Sequence, residues 1–385
     1  MKDKVKLLRI STVPHSLHLL LRGQIKYMAC HNFEVYMASA TDNSVSTLEM
    51  NEGVPHFQIP LNRKLNVFKD IVALYYTIKL IRKLKPDIVH THSPKAGIVG
   101  MLAAMLCNVK LKIHTVAGLP LVEETGLKRQ LLICVEKLTY IFADWVLPNS
   151  QEQLQFIKAN IDSSDKITII GKGSSNGIDL DYFSKSENNL TENDNLRKLY
   201  NINSDDVVLT FVGRLANYKG CNELVACFKN LSLRHTNIKL FLVGPLEDLN
   251  PLMPETLNEI KSNNAIIATG HQNDIRPYLN MADIFVFPSY REGFPQSLMQ
   301  ACAFGLPCIA TDINGCNEIV FDDVNGYLIP TKSEIKLIEK CEILINDKNK
   351  RLEFGAKGRK YLEDNFEQKQ FWHRLKGFYL KKLSL

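Results

Sequence analysis

Two cationic side chains stand out because their spacing suits one kind of ligand. Arg214 and Lys219 lie five residues apart in the segment GRLANYKG, after an apolar run and directly before Gly220 and the start of a predicted helix. Two cations, a flexible backbone and a helix N-terminus together suit an anion of the size of a pyrophosphate. The alternative is a surface loop with two solvated cations. The segment lacks the G-x-x-x-x-G-K-[ST] spacing of a phosphate loop, so it does not indicate a nucleoside triphosphatase.

A second group of polar side chains follows the apolar run ADIFVFPS. Glu292 lies in the loop after this predicted strand, and Gln296 and Gln300 lie four residues apart on one face of the short helix that we expect next. Carboxylate and amide groups suit the hydroxyls of a ribose or hexose ring. Helix capping explains Glu292 alone, but it explains Gln300 poorly. Hydroxyl recognition combined with diphosphate binding predicts a nucleotide sugar as the ligand.

The elements that must position these residues follow an α/β pattern. Apolar segments of strand length, such as VKLLRIS, PDIVHTHS, KITII and IKLFLVGP, alternate with helical patterns such as 68–84 and 127–142. We predict two doubly wound domains, 1–185 and 186–365, with a polar linker where they join, and a C-terminal helix at 366–385 that packs back on the first domain. Ligands of such sheets bind at the carboxyl ends of the strands.

The composition of the 385 residues, 45% apolar and 23% charged, is that of an ordinary globular protein. The nine cysteines contain no C-x-x-C pair, which indicates free thiols in a reducing compartment. Since we find neither a signal peptide nor a run of ~20 apolar residues, we expect a cytoplasmic protein.

The net charge of +6 belongs to the first half of the chain, which includes KLIRKLKP (79–86). A solvated helix face explains these cations simply. Attraction to a phosphorylated lipid or to an anionic bilayer is the sharper alternative, and it would make the protein a peripheral membrane protein. No basic motif with interleaved aromatic residues indicates nucleic-acid binding.

The segments GRLANYKG, REGFPQSLMQACAFG and NGYLI resemble the nucleotide-sugar-binding half of the family 4 retaining glycosyltransferases. In the first half of the chain, IVHTHSPKAGIVG, HTVAGLP and NGIDLDYF resemble the same family, especially bacterial members that build surface polysaccharides. The resemblance covers most of the chain and is most specific in residues 209–328. It implies the GT-B fold, in which two Rossmann-like domains face a cleft and the second domain holds most of the donor.

The resemblance also implies roles for individual residues. In the family pattern, one Glu meets the transferred sugar, and after seven residues a second Glu meets the ribose. Glu292 matches the first, whereas Gln300 replaces the second with an amide that can still bond ribose hydroxyls. His114 resembles the family's histidine beside the transferred sugar, with a core histidine as the alternative. The predicted catalytic residues are Arg214, Lys219, Glu292 and His114, and the predicted nucleotide-sugar contacts are Gly213, Arg214, Lys219, His271, Glu292, Gly293, Phe294, Pro295, Gln296 and Gln300.

The first domain departs from the family pattern after its first strand. Relatives carry a glycine-rich loop there, whose backbone N–H groups meet the diphosphate, whereas this chain has a proline followed by His15 and Ser16. We still expect contacts from His15 and Ser16, and we expect His92 and Lys95 to contact part of a substrate phosphate. His90 and His92 lie two apart on a predicted strand, but we find no third ligand, so we expect no metal site.

Two motifs do not carry the chemistry that their letters suggest. GKGSSNG (171–177) has the wrong spacing for a dinucleotide fingerprint, and no predicted helix follows it. Asp179 and Asp181 imitate the D-x-D metal motif of another glycosyltransferase fold, but they lie in the NGID segment between the domains. Neither motif therefore predicts a cofactor or a metal ion.

The predicted function is transfer of a hexosyl or N-acetylhexosaminyl group from a nucleotide sugar, with retention at the anomeric carbon. Resemblance to the family favours a UDP-linked donor. Resemblance and charge favour an undecaprenyl-diphosphate-linked sugar acceptor at the inner face of the cytoplasmic membrane, in the biosynthesis of a surface polysaccharide such as capsule or lipopolysaccharide. We expect no cofactor. A nucleotide-sugar 2-epimerase and a non-catalytic nucleotide-sugar-binding subunit remain as alternatives.

Overall fold

A computed structural model describes residues 4–62, 66–119, 121, 124–185 and 195–384. The chain divides into two compact units, one formed by Met1–Gly177 with Gln368–Leu385 and the other by Ile178–Glu367. In the described residues each unit contains one six-stranded parallel sheet. Within the same residues, no helix combines the length and the apolar composition that crossing a membrane requires.

The first sheet has the doubly wound strand order. Its strands are β1 (Val5–Ser11), β2 (Phe33–Ser39), β3 (His56–Gln58), β4 (Ile88–His92), β5 (Leu111–Val116) and β6 (Trp145–Pro148). They lie in the order β3-β2-β1-β4-β5-β6, so the order reverses between β1 and β4. Every residue of β4 is buried, including the polar residues His90, Thr91 and His92.

The second sheet repeats this order. Its strands are β7 (Val207–Val212), β8 (Ile238–Val243), β9 (Ile266–Gly270), β10 (Ile284–Phe287), β11 (Cys308–Thr311) and β12 (Gly326–Ile329). They lie in the order β12-β11-β10-β7-β8-β9, with the reversal between β7 and β10. Ligands of doubly wound sheets bind at this reversal, outside the carboxyl ends of the strands.

Helices cover both sheets. In chain order they are α1 (Pro14–Leu20), α2 (Gln24–Cys30), α3 (Val45–Glu52), α4 (Val67–Leu84), α5 (Pro94–Leu106), α6 (Gly126–Phe142), α7 (Gln151–Asn160), α8 (Cys221–Ser232), α9 (Pro254–Ser262), α10 (Arg276–Met281), α11 (Gln296–Ala303), α12 (Glu334–Asn346), α13 (Lys348–Asn365) and α14 (Gln368–Lys382). In the first unit one core includes residues of α4 to α7, and the other includes residues of α1, α2, α3 and α14. The two cores lie on opposite faces of the first sheet, because side chains alternate along its strands.

The boundary between the units differs from the predicted one at 185. Residues 178–185 lie in the second unit, because the Ile178 N–H donates to the Phe366 carbonyl (2.8 Å) and the Phe183 ring lies edge-on to Phe304 with centroids 6.4 Å apart. These contacts attach the segment to the second core. The polar segment expected to contain the linker begins only at 184, so the sequence pattern did not indicate this earlier boundary.

The end of the chain belongs to the first unit. Helix α14 begins at Gln368, and its residues Phe371, Leu375 and Tyr379 are buried in the core that also contains Phe33. The C-terminal helix therefore packs on the first unit, as predicted.

One predicted strand is wrong, and two predicted helices are confirmed. KITII forms a single bridge between Ile167 and Val146 instead of a strand. The predicted helices 68–84 and 127–142 correspond to α4 and α6, each of which begins one residue earlier. The three-residue strand β3 lies at an edge of the first sheet, and nothing in the sequence pattern indicated it.

Candidate functional site

The two loops that carry the predicted donor residues meet where the second sheet reverses its strand order. One loop follows β7 and the other follows β10, and these strands are neighbours. Gly220 joins the loops, because its φ is +70° and a Cβ atom at this position would lie 2.0 Å from the Pro288 carbonyl oxygen. Only glycine permits both this backbone conformation and this approach. The Tyr290 N–H also donates to the Tyr218 carbonyl (2.8 Å), which fixes the register of the two loops.

Lys219 and Glu292 form an ion pair at this point. The Lys219 Nζ lies 2.5 Å from Glu292 Oε1, and the side chains are 15% and 13% exposed. The ammonium also lies 5.5 Å from the ring centroids of both Tyr218 and Phe287. Such a pair holds both charged groups in place at low solvent exposure. Water screens their electrostatic interaction with a ligand less there than at an exposed position. The sequence predicted both residues as site residues but not their contact with each other.

Arg214 is more exposed than Lys219 and lies beside the same tyrosine. Its guanidinium forms an ion pair with Glu247 and donates to the Tyr218 hydroxyl. Arg291 also lies at this ring, with its guanidinium 4.2 Å from the Tyr218 ring centroid. Neither Tyr218 nor Arg291 was predicted as a site residue, although Tyr218 lies between the two predicted cations. The structure thus brings three cations around one aromatic ring.

The Glu292 loop is supported by the turn after β11. The Asn314 amide donates to the carbonyls of Glu292 (2.9 Å) and Gly293 (3.0 Å). A Cβ atom at Gly315 would lie 2.6 Å from the Gly293 carbonyl oxygen, and Gly315 has a φ of +79°. Asn314 was also missed, and only its place shortly after a strand could have indicated it. These contacts fix the backbone that carries the Glu292 carboxylate.

The remaining predicted residues of this loop differ in their exposure. Phe294 is buried against Phe366 with ring centroids 5.3 Å apart, so its predicted contact, which stays a prediction, would come from its backbone. Pro295 is the residue that immediately precedes α11. Gln296 and Gln300 are half-buried and lie four residues apart on that helix, as predicted.

Gly213 and His271 lie at the same edge of the second sheet. Gly213 follows β7. A Cβ atom at Gly244 would lie only 1.9 Å from the Gly213 carbonyl oxygen. His271 follows β9, the edge strand two places from β7, and is exposed. Both positions are compatible with the predicted contacts at the carboxyl ends of the strands.

His114 is a buried residue of the first unit. It is 1% exposed, and its Nδ1 lies 2.8 Å from the Thr91 hydroxyl. Burial lowers the pKa of His114 to about 4, so the imidazole is neutral near neutral pH. Gly97 is required beside it, because a Cβ atom there would lie 2.6 Å from His114 Cε1. This environment matches the core-histidine alternative, and any role of His114 toward a sugar would be that of a neutral hydrogen-bonding group.

Two residues of the first unit that were predicted to contact a phosphate, His92 and Lys95, are buried, and their predicted contacts stay predictions. The Lys95 ammonium lies 2.7 Å from the Asp70 carboxylate, in an ion pair like that of Lys219 and Glu292. His92 is the last residue of β4 and lines an internal cavity of about 10 Å³ beside Gln24 and Thr115. It therefore points into the unit and not toward an open loop. His15 is exposed and Ser16 half-buried in α1, the helix that begins shortly after β1, and their predicted contacts stay predictions.

His90 and His92 do not have the surroundings of a metal site. The His90 Nδ1 lies 2.6 Å from the Tyr379 hydroxyl and its Nε2 lies 2.7 Å from the Thr115 hydroxyl, so both nitrogens are occupied. Burial holds the pKa of both histidines well below its usual value. Asp179 accepts from the backbone N–H groups of Asp181 (3.1 Å) and Tyr182, an ordinary turn. Within the described residues, no three His, Cys, Asp or Glu side chains converge as metal ligands would.

Comparison with known proteins agrees with this architecture. A family model described as "Glycosyl transferases group 1" matches residues 192–361, and one described as "Glycosyl transferase 4-like domain" matches residues 24–173. The chain is 33% identical over 376 residues to the capsular polysaccharide biosynthesis glycosyltransferase CapM of Staphylococcus aureus, and the match covers 97% of this chain and 96% of the relative.

A second relative and a solved structure extend this result. The UDP-Gal:alpha-D-GlcNAc-diphosphoundecaprenol alpha-1,3-galactosyltransferase of Escherichia coli is 31% identical, covering 85% of this chain and 84% of its own length. The crystal structure of Anabaena Alr3699/HepE in complex with UDP has a TM-score of 0.82 at 17% identity, covering 98% of this chain and 100% of that chain, so the two share a fold. The chain belongs to the group 1, family 4-like glycosyltransferases and has their GT-B fold.

Proposed function

We propose that this glycosyltransferase moves a hexosyl or N-acetylhexosaminyl group from a UDP-sugar to a lipid-linked saccharide, with retention at the anomeric carbon. The observation that carries the proposal is the ion pair of Lys219 and Glu292 at the reversal of the second sheet. The pair supports the proposal, because an ammonium suited to a diphosphate and a carboxylate suited to sugar hydroxyls lie next to each other where a sheet of this order binds its ligands.

The donor would lie across the two loops. Arg214 and Lys219 would contact the diphosphate, and Glu292 would orient hydroxyls of the transferred sugar. Gln300 would bond the ribose hydroxyls as donor or acceptor. Uridine as the base is supported by the Escherichia coli relative, which is named for UDP-galactose, and by the UDP in the Anabaena structure.

The chemical step requires departure of a diphosphate from an oxocarbenium-like carbon. The bond between the anomeric carbon and the β-phosphate oxygen breaks, and a bond from that carbon to an acceptor oxygen forms on the same face. The acceptor proton passes to the departing phosphate oxygen. Arg214 and Lys219 would stabilise the charge that grows on this oxygen, which is typically the largest contribution that preorganised groups make. His114, if it meets the sugar, would do so as a neutral group, because burial lowers its pKa to about 4.

No metal cofactor is required in this proposal, because two side-chain cations lie where the diphosphate would bind. Transfer that continues in the presence of a chelator is therefore expected. Loss of transfer on chelation, with recovery on addition of a divalent cation, would contradict this part of the proposal.

The proposed acceptor is a saccharide on undecaprenyl diphosphate at the inner face of the cytoplasmic membrane. The Escherichia coli relative is named for a diphosphoundecaprenol acceptor, and the Staphylococcus aureus relative is named for capsular polysaccharide biosynthesis. We accordingly propose a peripheral membrane enzyme of surface polysaccharide biosynthesis.

The test is an acceptor-dependent assay of UDP release with a panel of UDP-sugars and undecaprenyl-diphosphate-linked N-acetylhexosamines. We expect one donor to release UDP only when an acceptor is present, and we expect the NMR spectrum of the product to show the anomeric configuration of the donor. Sugar conversion without an acceptor would indicate a 2-epimerase instead. UDP-sugar binding without turnover on any acceptor would indicate a non-catalytic subunit.

A further inference from the structure

Large apolar side chains are exposed in unusual number on two helices of the first unit. On α4 and α6 these exposed side chains are Val67, Phe68, Ile71, Val72, Tyr75, Tyr76, Leu127, Leu131, Leu138 and Ile141. Phe68 and Leu127 are each 84% exposed. Exposed apolar residues that are scattered singly need no explanation, but a contiguous group of this kind marks a binding surface.

The spacing of these residues makes each set a stripe along its helix. On α6, Leu127, Leu131, Leu138 and Ile141 recur at intervals that keep them on one side, and exposed Cys134 fills the gap between them. On α4 the exposed set repeats in pairs four residues apart, while the opposite side packs into the core through residues such as Leu80. The outward stripes are therefore additional to what the fold requires.

The two stripes lie on one side of the unit. Both α4 and α6 pack against α5, and all three helices contribute to the core on the same face of the first sheet. We call the outward side of these two helices, formed by the ten apolar residues above, the α4/α6 surface. At 1.5 Å per residue, each helix extends over roughly 25 Å, which is long enough to lie along a bilayer interface.

Most of the charges that flank this surface are positive. Exposed cations on the two helices are Lys69, Lys79, Arg82, Lys83, Lys128 and Lys137, of which Lys128 pairs with Glu124 just before α6. The two acidic residues of these helices do not neutralise the exposed cations, because Asp70 is paired with Lys95 and Glu136 is buried. Apolar stripes with tyrosines and flanking lysines suit the headgroup region of an anionic bilayer.

We propose that the α4/α6 surface docks the first unit on an anionic lipid bilayer, with α4 and α6 lying in the plane of the interface. This deepens the proposed function, because a lipid-linked acceptor resides in such a bilayer. The docking is a property of the surface alone and can be measured without any substrate.

The protein's own cysteines provide the first test. Cys134 lies on the surface, and Cys30 is exposed at the end of α2, whose residues contribute to the core on the other face of the sheet. In a Cys107→Ser background, a polarity-sensitive fluorophore is attached to Cys134 in a Cys30→Ser variant, or to Cys30 in a Cys134→Ser variant. With phosphatidylcholine vesicles that contain phosphatidylglycerol, only the fluorophore at Cys134 should shift its emission to the blue. Equal shifts at both positions, or no shift at Cys134, would overturn the proposal.

The second test removes apolar anchors and measures cosedimentation with the same vesicles. A double variant, Phe68→Ser with Leu127→Ser, should bind at least about tenfold more weakly, since each buried apolar side chain stabilises the bound state substantially. The matched control is Leu233→Ser with Leu249→Ser, which removes residues that are 82% and 93% exposed in the second unit. The control should bind as the wild type does.

Two further readouts separate this proposal from its competitors. Equal vesicle binding by both double variants would contradict lipid docking. A dimer in solution that dissociates in the Phe68→Ser, Leu127→Ser variant and not in the control would also contradict it, and would favour a second copy of the chain as the occupant. Arg214→Ala should weaken UDP binding but keep vesicle binding, so failure of the donor site and failure of the docking surface give different results.

Discussion

At the scale of single residues, the Lys219–Glu292 ion pair places opposite charges where they can act on one ligand. Both side chains are mostly buried, and they lie 2.5 Å apart on loops that follow neighbouring strands. Removing one partner of such a pair leaves the other without its counter-charge. The pair therefore affects the positions of the two loops as well as the binding of a donor.

Lys219→Ala should lower kcat for sugar transfer by about 10²- to 10³-fold, because it removes a preorganised cation from the departing diphosphate. Lys229→Ala is the control, since it removes an exposed ammonium that pairs with Glu259 in the same unit. Both variants should keep the far-ultraviolet circular dichroism of the wild type. Equal turnover of the two folded variants would rule out the role given to Lys219.

Glu136 gives a pH-dependent prediction. Burial on α6 raises the pKa of its carboxyl from 4.5 to about 7, and its Oε2 has no hydrogen-bond partner among the residues that the structure describes. Because the folded-state pKa is raised, the stability that the protonated carboxyl provides is fully present below the unfolded pKa of 4.5 and is lost as the pH rises through about 7.

Glu136→Gln should therefore raise the free energy of unfolding above pH 7 by up to ~3 kcal/mol, and the gain should shrink as the pH falls toward 4.5. Urea unfolding of both proteins across this pH range measures the difference. Glu353→Gln, which changes an exposed carboxylate of α13, should show no such dependence. A gain that is the same at every pH would show that Glu136 is not the titrating group.

At the scale of elements, the contact between Gly220 and Pro288 joins the loop that follows β7 to the loop that follows β10. Gly220 precedes α8 with a φ of +70°, and a Cβ atom there would meet the Pro288 carbonyl oxygen at 2.0 Å. The backbone carbonyl cannot yield as a flexible side chain could. The loops that carry Lys219 and Glu292 consequently depend on this position.

Gly220→Ala should lower the free energy of unfolding by roughly 2 kcal/mol more than Gly270→Ala does. Gly270 is a matched control in the same unit, because its φ is +68° and a Cβ atom added there would meet no described atom within 4 Å. Gly270→Ala should thus cost only the ~1 kcal/mol of the left-handed conformation. Similar losses in thermal or urea unfolding would show that the Pro288 contact is not limiting.

Helix α14 is attached to the first sheet by a buried hydroxyl. The Tyr379 hydroxyl accepts from Arg9 Nη1 (2.7 Å) and therefore donates its own proton to His90 Nδ1 (2.6 Å). This assigns the His90 proton to Nε2, which donates to the Thr115 hydroxyl (2.7 Å). Arg9 is fully buried, so each of these bonds satisfies a group that water cannot reach.

Tyr379→Phe should destabilise the first unit by about 2–4 kcal/mol, because it leaves both Arg9 and His90 short of a partner. Tyr75→Phe removes an exposed hydroxyl and should have almost no effect on unfolding. Limited proteolysis at the C-terminus gives an independent readout, with faster cleavage expected in Tyr379→Phe. Equal unfolding of the two variants would contradict the role of this hydroxyl.

At the scale of the whole molecule, the repetition of one strand order in both units explains why the sequence predicted the architecture. The alternation of apolar strand-length segments with helical patterns indicated the α/β class, and α4 and α6 began within one residue of their predicted starts. The three-residue edge strand β3 was too short to form a pattern. The segment KITII had strand composition, but it forms only one bridge.

The candidate site was predicted in its residue types and not in its contacts. Lys219 and Glu292 lie 73 residues apart, and only the adjacency of β7 and β10 brings them together. The sequence likewise could not show that Lys95 pairs with Asp70 on another helix, because only the fold brings the two side chains together. Phe294 was expected at the ligand, but packing against Phe366 buries it.

The central claim is that the reversal of the second sheet binds the diphosphate of a uridine nucleotide. Calorimetric titration of the wild type and of Arg214→Ala with UDP and GDP tests this claim most directly. We predict that the wild type binds UDP more tightly than GDP, and that Arg214→Ala weakens UDP binding by about tenfold or more, as expected for loss of a charge-assisted contact. Equal UDP affinity of the two folded proteins, or no binding of either nucleotide by the wild type, would contradict the claim.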